Sequence, residues 1–132
     1  MIIKKKYPPN IEEIMKVFPI NNNTIYTHGE NIFAPHIDFD LPNDLIVHEE
    51  THSKQQSGFS SPDEWWTKYI TDKKFRYSQE VEAYQNQYKA FCSVVKDRNR
   101  RFNFLVTIAR DLSSPLYGNM VDFFTATRVI KS

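Results

Sequence analysis

The sequence predicts an α+β fold, mainly helical, with a small β-hairpin or sheet ahead of the helices. Three observations carry this. From Pro42 onward the apolar residues recur at helical spacing between recognisable caps. Before it, two short apolar runs flank Gly29-Glu30 as the arms of a hairpin. The chain of 132 residues, 40% hydrophobic and 14% aromatic, is long enough for a core of its own, so 1–132 is expected to be a single domain.

The elements follow in order. Asn10-Ile11-Glu12-Glu13 reads as an N-cap with glutamate at N3, opening a short helix through Ile14, Met15 and Phe18. Pro19 and the run Asn21-Asn22-Asn23 end it. Residues 24–28 and 31–34 form the hairpin, and 37–41 is a further extended piece alternating Ile37, Phe39 and Leu41 with Asp38 and Asp40. Asn43 or Asp44 caps a helix running to about Ser57, where Gly58 suits a left-handed terminus. Ser61-Pro62-Asp63-Glu64 combines a cap serine, proline at N1 and glutamate at N3, which predicts a short helix over 65–70. A long helix is expected over 75–95, then two more over 100–112 and 119–130.

Charge and composition exclude several classes. The formal net charge is +1, and the basic clusters at Lys4-Lys5-Lys6 and at Lys96, Arg98, Arg100 and Arg101 read as solvated faces, so neither nucleic acid nor membrane is an expected partner. The single cysteine, Cys92, sits in an apolar run and reads as a small buried residue, with no disulfide framework. Met1 to Pro9 contains no apolar stretch of signal-peptide length, and a cytoplasmic location is expected.

The chemistry concentrates in His48-Glu49-Glu50-Thr51-His52. At 100° per residue, positions 48 and 52 lie about 40° apart on one side of a helix, so both imidazoles can reach one ion. Zinc accepts histidine nitrogens in that arrangement. Glu49, beside His48, can aim its carboxylate at a water in the open coordination position and act as general base. Glu50 lies about 200° round from His48 and points away. The alternative is a pair of surface histidines in a charged helix. A third ligand is sought on the long helix, where Glu80 shares a face with Arg76, Ala83, Tyr84 and Gln87, and the small alanine permits a close helix crossing. Glu82 lies on the other side, with Ser78, Gln79, Asn86 and Lys89, and solvates it.

HEETH followed by Glu80-Val81-Glu82-Ala83 on the next long helix resembles the gluzincin clan of zinc metallopeptidases. The likeness is greatest to its small single-domain, minigluzincin-like members, often from phages or bacteria. Thr24 to Gly29, Gln55-Gln56, Trp65-Trp66, Tyr69-Ile70, Phe75-Arg76 and 112–118 also look like this group, so the likeness spans about residues 24 to 120. It implies a zincin-like core with Zn2+ held by His48, His52 and Glu80, and Glu49 as catalytic base. It further implies a peptide or protein substrate, which an edge strand within 25–34 would receive by β-addition, and host cytoplasm or virion as the location if phage-encoded. Where the family commonly has an aspartate to orient a ligand histidine, this chain has Tyr84. For the transition-state donor the candidates are Tyr84, Tyr117 and His28. Two other functions remain open: a zinc-binding structural or interaction component, for instance of a phage particle, with little turnover, and a metal-free helical adaptor presenting Trp65, Trp66 and Tyr69.

Overall fold

Helix α4 (Lys73–Val94) runs through the middle of the molecule, and every other long helix leans on it. The computed structural model describes residues 1–132, in the order β1 (Ile2–Lys4), α1 (Ile11–Met15), β2 (Tyr26–His28), β3 (Asn31–Phe33), α2 (Asn43–Ser57), α3 (Pro62–Thr71), α4, α5 (Arg98–Leu112) and α6 (Phe123–Lys131). A single 3-10 turn, Pro115–Tyr117, joins the last two helices. The fold is α+β and mainly helical, and none of its helices is long and apolar enough to cross a membrane.

Side-chain caps explain most helix starts. Ser61 Oγ accepts the Glu64 N–H to open α3, as the sequence predicts. The carboxylates of Asp72, Asp97 and Asp122 do the same for α4, α5 and α6, accepting from Phe75, Arg100 and Thr125. These aspartates place the starts at 73, 98 and 123 rather than 75, 100 and 119. Two expected caps are not made. Asn10 makes no cap bond and leaves its Oδ1 buried without a partner, and Pro42 rather than Asn43 or Asp44 holds the cap position of α2. Gly58 ends α2 in right-handed geometry (φ −80°, ψ −4°). The left-handed turn lies instead at Gly118 and Asn119 (φ 89° and 53°), which redirect the chain into α6.

The sheet has the order β1-β3-β2. β2 and β3 form the expected antiparallel hairpin, closed through Gly29 at φ 63°, while β1 lies parallel to β3. The third strand is therefore the N-terminal segment and not residues 37–41, which form no strand. The alternation there has another origin. Ile37 and Leu41 turn inward to pack on Ile32 and Ala34, and Phe39 stays outside.

Two larger clusters complete the interior. Tyr84, Leu105, Ile108, Ala109, Leu112, Ala126 and Ile130 join α4, α5 and α6. Ile14, Tyr26, Phe33, Trp65, Trp66 and Tyr69 join α1, the hairpin and α3. The three aromatics of α3 are thus core, at 1%, 8% and 7% exposure, and present no adaptor surface. Cys92 is only half-buried, since the last turns of α4 extend beyond the core.

Candidate metal centre

α2 and α4 cross with His48 and His52 facing Glu80. Ala83, fully buried beside it, lets the two backbones approach. His48 Nε2 lies 3.1 Å from Glu80 Oε1, and His52 Nε2 lies 3.3 Å from Glu80 Oε2. The ligand atoms of the three residues all fall within 4.8 Å of one another, so the group can hold a metal ion. With 6%, 6% and 3% of their surfaces exposed, these side chains are not a solvated pair beside stray carboxylates. Glu49 is equally buried, its Oε2 3.9 Å from His48 Nε2. Glu50 and Glu82 are exposed, as helical geometry requires.

The electrostatics fit a closely shared site. Burial would lower the pKa of His52, but the Glu80 carboxylate, assisted by Glu49 and Gln55, overrides this and raises it to about 9. Burial would raise that of Glu80, but the charge of His52 and hydrogen bonds from both histidines hold it far below the usual carboxylate range.

Side chains around the triad complete it. His48 Nδ1 lies 2.8 Å from Gln87 Oε1, and His52 Nδ1 lies 2.8 Å from Gln55 Oε1. Tyr69 donates its hydroxyl to Glu80 Oε2 at 2.6 Å, and Thr27 donates to Glu49 Oε1 at 2.9 Å. Tyr84 does not orient a histidine through its hydroxyl. Its ring packs edge-on against His48, centroids 4.6 Å apart, while its hydroxyl meets that of Tyr117 at 3.3 Å. Tyr117 lines the cleft above the site. His28 is directed away, its Nε2 2.8 Å from Asp63 Oδ1, because the hairpin turns its side chain toward the start of α3.

Of the residues not singled out for the site, Gln55 and Gln87 had a readable signal. Position 55 is three after His52 on one helix, and 87 shares the face of Glu80 at i+7. Thr27 and Tyr69 had none, since only tertiary packing brings them in.

A cleft of about 360 Å³ opens onto His48, Glu49, His52 and Glu80, walled by apolar side chains such as Ile14, Phe18, Ile25 and Trp66. The expected β-addition at β2 meets an obstacle here. The Thr27 carbonyl already accepts from Gln56 Nε2 and Trp66 Nε1, both at 2.9 Å, so this residue has no free acceptor for an added strand. Set against protein-family models, curated proteins and solved structures, the chain matches none.

Proposed function

We propose that this protein is a zinc-dependent peptidase of the HExxH type, similar in plan to the small gluzincins, acting on a peptide or protein substrate. The observation that carries the reading is the buried triad with a second carboxylate, Glu49, beside it at the floor of an apolar cleft. In a tetrahedral zinc site with bonds of about 2.0–2.1 Å, ligand atoms stand about 3.3 Å apart. The imidazole nitrogens stand 3.1 and 3.3 Å from the two Glu80 oxygens, one each, close to that spacing, and two imidazoles with one carboxylate are a donor set suited to zinc.

Held by His48, His52 and Glu80, zinc would polarise the substrate carbonyl and acidify the attacking water. The chain's own residues do the rest. Glu49 accepts the proton of the attacking water and passes it to the leaving amine. Thr27 holds the Glu49 carboxylate by its hydrogen bond to Oε1, leaving Oε2 toward His48. Tyr117, lining the cleft, is the hydroxyl available to an oxyanion in place of His28, because Tyr69 already donates its proton to Glu80. The apolar walls exclude water and favour substrate segments with apolar side chains.

The test is direct. Purified protein is assayed for zinc content and for cleavage of a mixed peptide library with and without a chelator. One zinc per chain and chelator-sensitive cleavage that Glu49→Gln abolishes support the reading. Stoichiometric zinc with no cleavage by the wild type leaves a zinc-binding structural component instead.

A further inference from the structure

Both ligand histidines are held by glutamines, and each glutamine is anchored in turn. Gln87 Nε2 donates to Asp44 Oδ2 at 2.9 Å. Gln55 Nε2 donates to Glu82 Oε1 at 2.9 Å and also to the backbone carbonyl of Gln79 at 3.0 Å. A carboxylate or a carbonyl can only accept. The anchor therefore dictates which end of the amide faces outward. The amide oxygen must then face the imidazole, and the Nδ1 position must carry a proton, so that the nitrogen whose proton a metal ion displaces is Nε2, the one beside Glu80. Orientation thus passes in three steps from acceptors at the rim of the helix pair to the ligating atom of each histidine.

We propose that Asp44 and Gln87 act as a relay that holds His48 in its Nε2-ligating tautomer, with Gln55 doing the same for His52. The inference rests on the metal reading above. Glu82 is exposed and Asp44 half-buried, so both charges keep contact with solvent while the neutral amides carry the polarisation inward. The two relays differ in one respect. Gln55 has two acceptors on its Nε2, whereas Gln87 has only Asp44. Removing Asp44 frees the Gln87 amide to turn over and offer its NH2 to Nδ1, which favours the wrong tautomer. Removing Glu82 leaves Gln55 held by the Gln79 carbonyl.

The experiment measures zinc affinity by chelator competition, with the Nδ1–H resonance of His48 followed by NMR in the zinc-loaded protein. Gln87→Ala should weaken zinc by about 10–100-fold, the usual range for groups that orient a ligand histidine, and lose that resonance. Asp44→Ala should weaken it about 3–10-fold, and Glu82→Ala less than about 2-fold, both below that orienting range. Asp44→Asn, which drops the charge but keeps an oxygen acceptor, should bind tighter than Asp44→Ala. In the Gln87→Ala background, Asp44→Ala should cost nothing further. Equal losses in Asp44→Asn, Asp44→Ala and Glu82→Ala would mean that only the field of the charges matters, and the relay is overturned. So too if the Asp44→Ala loss persists without Gln87. A wild type that binds no zinc removes the metal reading and the relay with it, whereas a zinc-binding wild type with indifferent variants removes the relay alone.

Discussion

Replacing Glu80 with glutamine in the metal-free protein keeps the side chain's size and removes the charge that His52 faces. Glu80 is 3.3 Å from His52 Nε2 and keeps the imidazole charged up to a pH of about 9, against an ordinary value of 6.5. At pH 7 that difference is worth roughly 2–3 kcal/mol of folding stability. For a domain of this size, about 4 °C per kcal/mol turns this into a fall in Tm of about 10 °C. The pH dependence is the sharper signature. A raised histidine contributes stability that is complete below its ordinary pKa of 6.5 and lost as pH rises through about 9. The depressed Glu80 contributes stability present above its ordinary 4.5 and lost as pH falls toward its lower folded value. The wild-type advantage over Glu80→Gln should therefore be widest between about pH 4.5 and 6.5 and should vanish near pH 10. Thermal unfolding followed by circular dichroism, in chelator, from pH 5 to 10, measures it. A gap that stays constant or widens above pH 7 would refute the reasoning. Adding zinc at 100 times its Kd should then stabilise the wild type by about 2.7 kcal/mol and the variant far less.

Other outcomes follow from the same geometry. Glu49→Gln should keep both fold and zinc while abolishing hydrolysis, and Glu50→Gln should be neutral, because position 50 is exposed; matching losses in a peptide-cleavage assay would reverse these roles. Glu80→Ala and His52→Ala should release zinc to a mild chelator that Glu82→Ala withstands, and elemental analysis after dialysis reads the result. Thr27→Val should lower the turnover rate without changing zinc content and Thr27→Ser should restore it, since only the hydroxyl reaches Glu49. Leu112→Ala, at a fully buried position remote from the cleft, should cost about 2–5 kcal/mol in denaturant unfolding and leave zinc affinity unchanged.

What the sequence alone determined about this protein is what helical periodicity and local capping can encode. His48 and His52 stand one turn apart whatever surrounds them, and Glu80, Ala83, Tyr84 and Gln87 share a face because the last three lie three, four and seven residues after the first. Ser61 caps α3 through a bond spanning three residues, and Gly29 closes a hairpin between neighbouring strands; both are local and were legible. Elsewhere a long-range contact overrides the local signal. Residues 37–41 alternate like a strand, yet Ile37 and Leu41 are drawn inward by Ile32 and Ala34 while β1 takes the place beside β3. Tyr84 occupies the position from which a side chain could orient a histidine, but the crossing of α2 over α4 lays its ring against His48 and brings Gln87 to Nδ1. His28 was turned from the cleft by Asp63, 35 residues later. Only the tertiary structure could bring Thr27 from the hairpin to Glu49 and Tyr69 from α3 to Glu80. Spacing along one helix sets which residues point together, but the packing of separate elements, driven by buried apolar faces with no memory of sequence distance, sets what they meet.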